Sequence, residues 1–302
     1  MTSHPTIAKR PWKKFPYFEE DTSAEVVIAR IGEGANPRLR EVMSSAIRHL
    51  HEFIKEVRPS HEEWLEAIHF LTKTGQICND WRQEYILLSD ILGATMLIDA
   101  INHNHGSGAT ENTILGPFYV ENPPHRENGF NICLDGKGEE MVVRGHVLDK
   151  NGKPLVNATV DAWQTNNDGF YDVQQKGVQP DMNLRGIFTT NEKGEFWFRS
   201  VKPRWYPIPD DGPVGKLLTA MGRGPERAAH IHFIVKAEGY ETAITHVFPP
   251  DCPFIEVDAV FGVKETLIGD FKKVDDPERA KELGFTSPFW SLDWDFVLAK
   301  EK

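Results

Sequence analysis

Cysteine is scarce. The 302-residue chain has three, Cys78, Cys133 and Cys252, and no two of them form a CxxC pair. An odd, scattered set argues against a disulfide framework and against a thiolate zinc site. Any metal must then be held by nitrogen and oxygen. Long apolar runs are missing as well. None approaches the ~20 residues that span a bilayer, and the opening "MTSHPTIAKRPWKKFPYFEE" has no apolar core of a secretion signal. A cytoplasmic protein with no membrane partner is expected. Basic charge is in deficit, with 34 Lys and Arg against 45 Asp and Glu, a net charge of -11. Phosphate backbones need a basic face, so nucleic acid is not expected as a partner. The glycines of "GEGANP" and "GSGATENT" neither follow a strand nor end in GK[ST], which argues against a phosphate loop. "HEEWLEAIH" is not HExxH, so a zincin reading fails. There is no internal repeat.

What is there is ordinary for a globular chain: 40% hydrophobic and 26% charged residues. The length suffices for a full core and two structural regions. After an irregular lead-in, residues 22 to 105 carry a helical period. "NPRLREVMSSAIRHLHEFIKEV" opens with Asn36 as N-cap and Pro37 in the first turn. "SHEEWLEAIHFLTKTG" shows the capping box Ser60 and Glu63, with Gly75 as a stop. "DWRQEYILLSDILGATMLIDAINH" reads as one long helix and, being the most apolar, the most buried. Beyond residue 106 a Gly-, Asn- and Pro-rich stretch leads into short alternating runs. Three hairpins are expected, around "KNGK", "NEKG" and Glu238-Gly239. The fold class is therefore α+β: a helical N-terminal region, residues 1–110, packed on an antiparallel β-sandwich, residues 111–302.

"RAAHIHF" carries the sharpest chemical signal. His230 and His232 are two apart in a strand pattern and share a face, with ~6–7 Å between positions. They read either as two ligands of one ion or as strand residues with unrelated hydrogen bonds. His103 and His105 have the same spacing, but at a helix end, where such residues diverge; capping and solvation explain them. Tyr171 in "NNDGFYD" follows a turn. Tyr206 lies in "RWYPIPDDGPVG", stiffened by Pro207 and Pro209. Each reads alone as an amphipathic loop contact. With the histidines they would make an N2O2 donor set, suited to a hard trivalent cation that displaces the phenol proton.

"NGKPLVNATVDAWQTNNDGFYD", "LRGIFTTNEKGEFWF", "YPIPDDGPVGKLL", "GRGPERAAHIHF" and "DAVFGVK" occur in that order. Together they resemble the intradiol ring-cleaving dioxygenases of the catechol 1,2-dioxygenase family, and within it the hydroxyquinol 1,2-dioxygenases. The resemblance covers residues 20–300. It implies one non-haem Fe(III) per subunit, held by Tyr171, Tyr206, His230 and His232. It implies a small aromatic diol or triol and O2 as partners, and a homodimer, with bound phospholipid between subunits. Tyr206 would be the phenolate that yields its place to substrate. Arg227 would stabilise charge on the ring, and His246, where catechol enzymes carry glutamine, would line the site and tune the iron-bound oxygens. The family commonly reads "RPAHIHF"; Ala228 is a departure, expected to alter backbone stiffness more than chemistry.

By the same resemblance Leu87, Asp90, Ile114, Leu115, Gly116, Pro117, Phe118, Ile208, Pro209 and Val260 surround the ring. Asp90 stands in the apolar run "LLSDILG", where an unpaired carboxylate is costly. It faces solvent, pairs with a base, or accepts from a third ring hydroxyl. The last choice favours hydroxyquinol, opened to 3-hydroxy-cis,cis-muconate, whose keto form is maleylacetate. Catechol or a substituted catechol is the alternative substrate. A non-catalytic β-sandwich binding module is the alternative class. An extradiol enzyme would need two histidines and a carboxylate on Fe(II), which the paired tyrosines oppose.

Overall fold

The structure is a computed structural model that describes residues 17–79, 82–103 and 108–301. Two compact units divide the chain, one ending at Thr72 and the other beginning at Lys73. Five helices come first: α1 Ser23–Ala29, α2 Pro37–Val57, α3 His61–Gln76, α4 Glu84–Ile91 and α5 Ala94–Asn102. The local signals at their starts hold. Asn36 Oδ1 accepts from the Arg38 and Leu39 amides, and Ser60 and Glu63 exchange side-chain-to-backbone bonds.

Two expectations fail here. Gly75 does not stop α3, which runs to Gln76. The long buried helix is two short ones, broken at Leu92 and Gly93; Gly93 has φ +73, a left-handed turn that costs glycine nothing. Nor is it the most buried segment. Tyr85, Ile86, Leu97, Ile98 and Ile101 are exposed, and only Glu84, Ile91 and Met96 are buried. Apolar content says that a face wants cover; it does not say that this chain provides it.

The second part is β-rich: β1 Glu140–Asp149, β2 Thr159–Trp163, β3 Arg185–Thr189, β4 Glu195–Val201, β5 Tyr206–Pro207, β6 Glu226–Arg227, β7 Ile231–Lys236, β8 Ala243–Val247, β9 Phe271–Val274, β10 Phe289–Asp293 and β11 Phe296–Leu298. Helices α6 Pro213–Ala220 and α7 Pro277–Leu283 interrupt them. One sheet is built on β1, with β4 antiparallel on one edge and β10 and β11 following one another in parallel on the other; β9 extends it. The other has the order β3-β2-β7-β8 and is antiparallel throughout.

Of the three expected hairpins only β7–β8 pairs with itself. "KNGK" does reverse the chain, since Leu155 N returns to Val147 O, but the chain then crosses to the other sheet as β2. "NEKG" likewise links β3 in one sheet to β4 in the other. Turn chemistry specifies reversal; in a sandwich the reversed strand pairs in either layer.

The core between the layers is apolar from both sides. Phe188 of β3 stacks on Phe198 of β4 at 4.7 Å, with Val143, Val160, Phe233 and Phe296 fully buried around them. Each such side chain contributes about 1.5–3 kcal/mol. In β7 the period of two sends Ile231, Phe233 and Val235 into this core. His232 is left on the opposite face, in one rung with Trp163 of β2 and His246 of β8.

Candidate metal centre

The site lies on that outer face. His232 comes from β7, and His230 immediately precedes the strand. Both are 2% exposed. Tyr206 on β5 is the cross-strand neighbour of Arg227 on β6, so two of the expected groups are joined by one short ladder. Tyr171 leaves a tight loop whose shape comes from Asn166: its Oδ1 accepts from the Asp168 and Phe170 amides. Gly169 in that loop has φ +83, and a Cβ there would sit 3.3 Å from the Tyr206 Cβ. Glycine lets the two tyrosine segments approach.

Four donor atoms converge. Tyr171 Oη is 3.2 Å from Tyr206 Oη and 2.8 Å from His232 Nε2. His230 Nε2 is 3.1 Å from His232 Nε2. The far nitrogen fixes the tautomer of His230. His230 Nδ1 lies 2.6 Å from the Ala228 carbonyl, which only accepts, so that nitrogen carries the proton and Nε2 is bare. His232 Nδ1 lies 2.8 Å from His246 Nε2, which lets it donate there and leave its own Nε2 bare. Two bare imidazole nitrogens and two phenols, buried and turned toward one point, are the donor chemistry a hard cation requires.

The electrostatics agree. Burial, with the positive charge of Arg227, holds His230 below its ordinary value, and burial does the same to His232 and His246. Neutral imidazole is the ligating form. Burial raises both phenols, Tyr171 further through its neighbour Tyr206, while Arg227 pulls both down and Arg185 pulls on Tyr171. Without a cation the phenols stay protonated; a bound cation would displace those protons.

The other expected residues divide. Phe118 stacks on Tyr171 at 4.8 Å. A Cβ at Gly116 would come 3.1 Å from His232 Cε1. Ile208 and Val260 are buried; Leu87, Asp90 and Ile114 are half-buried. Leu115, Pro117 and Pro209 are exposed on the segments that carry Gly116, Phe118 and Ile208. His246 lies in the same buried cluster: the ring nitrogens of His230, His232 and His246 come within 4.8 Å of one another. Its Nε2 is 2.8 Å from His232 Nδ1, and its Nδ1 is buried with no hydrogen-bond partner among the described residues. His103 bonds Asp99, one turn back on its own helix, and His105 lies outside the described residues.

Sequence reasoning missed two buried ion pairs. Arg185 Nε reaches Asp172 Oδ1 at 2.7 Å and its Nη2 reaches the Phe118 carbonyl, which pins the segments either side of Tyr171. Asp258 holds Arg227 at 2.9 Å. A carboxylate directly after a candidate ligand, and one opening the apolar run "DAVFG", were the available signals.

Comparison with known proteins decides the family. A model described as "Dioxygenase" matches residues 114–300, and one described as "Catechol dioxygenase N terminus" matches residues 36–110. The chain belongs to the intradiol ring-cleaving dioxygenases. A hydroxyquinol 1,2-dioxygenase of Rhizobium sp. (strain MTP-10005) is 61% identical over 285 residues, 94% of this chain and 97% of that protein. A catechol 1,2-dioxygenase of Candida albicans is 39% identical, over 92% of this chain and 91% of that one. The solved structure of a hydroxyquinol 1,2-dioxygenase from Pseudomonas putida DLL-E4 superposes with a TM-score of 0.89 at 43% identity, covering 93% of this chain and 99% of that one. The family is Fe(III)-dependent, and the donor set here is of that kind. Among the described residues no helix is long and apolar enough to cross a membrane.

Proposed function

We propose that this chain opens hydroxyquinol (1,2,4-trihydroxybenzene) between its adjacent hydroxyl-bearing carbons. Both atoms of O2 enter the product, 3-hydroxy-cis,cis-muconate, whose keto form is maleylacetate. Tyr171, Tyr206, His230 and His232 would hold one ferric ion per subunit. When bound, it would supply the Lewis acidity that makes the dihydroxylated ring reactive toward O2.

The chain's own groups do the rest. Tyr206 Oη receives a substrate hydroxyl proton, and the neighbouring Arg227 guanidinium favours the phenolate form from which it starts and to which it returns. Arg227 stays charged and stabilises the anionic ring. Leu87, Phe118, Ile208 and Val260 exclude water from the ring. The homologues named above support this reading of the substrate.

One observation carries the choice of substrate. Asp90 Oδ1 is buried and has no hydrogen-bond partner among the described residues. Burial pushes this carboxyl up, while the Thr95 hydroxyl and the Arg227 charge pull it down. A third ring hydroxyl would satisfy the unpaired oxygen. A ring without that hydroxyl leaves it unpaired, which is the condition for strong rejection.

The test is oxygen uptake by iron-loaded protein on hydroxyquinol and catechol, with autoxidation of hydroxyquinol subtracted. Hydroxyquinol should be strongly preferred. Asp90→Asn should lower its kcat/KM by about 100-fold or more while sparing catechol. Equal use of catechol by the native protein, or an unchanged ratio in the variant, would overturn the assignment.

The same reading makes residues 1–110 the dimerisation region, 111–302 the catalytic domain, and the protein cytoplasmic. Leu39, Val42, Leu50, Phe53, Ile54 and Val57 of α2 are exposed in one helical stripe. A second copy with phospholipid between would cover it. Sedimentation as a monomer would refute the pairing.

A further inference from the structure

Arg227 is held in a way that leaves part of it unspent. Asp258 Oδ1 accepts two bonds, from Arg227 Nε at 2.9 Å and from the Ala228 amide at 2.9 Å. Its Oδ2 accepts from the Gly262 amide at 2.7 Å. Both side chains of the pair are buried, at 3% and 2% exposure. A carboxylate free of backbone donors would grip a guanidinium with both oxygens. Here the second oxygen takes the Gly262 amide and makes no bond to the guanidinium. Arg227 Nη2 is buried with no hydrogen-bond partner among the described residues. An orphaned buried donor is costly and calls for a partner that arrives later.

Its surroundings show where it works. Arg227 is the cross-strand neighbour of Tyr206, and its charge is felt at Tyr171, at His230 and at Asp90.

We infer that Asp258, anchored by the Ala228 and Gly262 amides, is a positioning residue. It fixes Arg227 so that one guanidinium nitrogen stays unpaired until charge appears on the substrate ring. The inference rests on the reading of Arg227 given above. Two details of this chain belong to the device. Ala228 stands where a proline would have no N–H to give, so the departure from "RPAHIHF" adds a donor to Asp258 as well as flexibility. Gly262 keeps the space clear: a Cβ there would lie 3.1 Å from Arg227 Nη2 and 3.2 Å from Asp258 Oδ2.

A structural salt bridge would give the same contacts and a different response to substitution. Such a bridge matters to folding and iron retention. A positioning residue matters to the reaction after substrate has bound. The test measures kcat, anaerobic hydroxyquinol affinity, iron content and thermal midpoint in Asp258→Asn, Gly262→Ala, Ala228→Pro and Arg227→Gln.

In Asp258→Asn, kcat per bound iron should fall about 10- to 100-fold, with anaerobic affinity moving far less. Gly262→Ala and Ala228→Pro should fall in the same direction by less, at near-native stability. Wild-type kcat per iron in Asp258→Asn beside a disabled Arg227→Gln would overturn the inference and leave the role of Arg227 standing. Loss that merely tracks iron content would overturn it as well. An active Arg227→Gln would remove the underlying reading and the inference with it. Should Asp258→Asn fail to fold, unchanged kcat in both Gly262→Ala and Ala228→Pro is the refuting result.

Discussion

The donor cluster and the helix that carries Leu87 and Asp90 are built differently. His232 sits on a central strand in one rung with Trp163 and His246, and Trp163 stacks on its ring at 4.6 Å and 9°. The far nitrogens of both imidazoles are engaged, one on a carbonyl and one on another imidazole. That helix is α4, of two turns. It is tied at its ends. Buried Glu84 accepts from Arg82 Nε and from the Val214 amide at the start of α6. At the other end Arg223 bonds the carbonyls of Ile91 and Ala259. The sheet holds its donors through many short contacts. The helix is held at its ends by charged clasps. On the proposed reading, chemistry is placed in the rigid layer and substrate choice in the clasped one.

That contrast breaks most clearly at Tyr171. Tyr171→Phe removes a donor oxygen and leaves the ring packing against Phe118. Iron affinity should fall by more than the about 10- to 100-fold typical of outer partners of a ligand. The tyrosinate-to-iron absorption should weaken with it. Substitutions at Asp90 should leave iron content and colour unchanged. A Tyr171→Phe protein with full iron and native colour would remove Tyr171 from the donor set.

His246 sharpens the comparison, because it belongs to the rigid layer without being a donor in the proposed set. His246→Leu deletes the acceptor for His232 Nδ1 and should lower iron affinity about 10- to 100-fold. His246→Gln can still accept that proton through its amide oxygen and should retain iron, with a smaller change in the pH profile of kcat. Equal iron affinity in native and Leu proteins would show that His232 needs no orienting partner.

How far the sequence spoke depends on the range of each signal. The period of two in "HIHF" is local, and β7 realises it: Ile231 and Phe233 enter the core and His232 faces the site. Asn36 and the Ser60–Glu63 pair are local as well, and both caps form. Tyr171 and Tyr206, 35 positions apart, share no local signal; only the ordered motifs of the family linked them. Arg185 with Asp172, 13 positions apart, and Arg227 with Asp258, 31 apart, went unread. A charged residue in an apolar run announces burial, but its partner is chosen by the fold. The turns at "KNGK" and "NEKG" reversed the chain as their residues dictate, and the layering of the sandwich decided the pairing.

Asp161 gives the smallest and most local of the expected effects, on stability rather than chemistry. It lies on β2 two residues before Trp163, on the face that carries the donors. Tyr119 Oη donates to its Oδ2 at 3.3 Å, and Oδ1 is buried without a partner among the described residues. Burial pushes the carboxyl up to about 6, against the pull of Tyr119, Arg185 and Lys236. Below the ordinary carboxylate range both the folded and unfolded chains hold the proton, and the group costs nothing. Between that range and about 6 the unfolded chain ionises this carboxyl while the folded chain keeps it protonated, so stability falls as pH rises and levels off above about 6. Asp161→Asn removes that cost. At neutral pH it should stabilise the protein by about 1–3 kcal/mol, and the gain should vanish below about pH 4. Urea unfolding of the two proteins across that range measures it. A gain independent of pH would assign the effect to packing against Tyr119, and a loss at neutral pH would mean that the ionised carboxylate is held by Arg185 more strongly than burial opposes it.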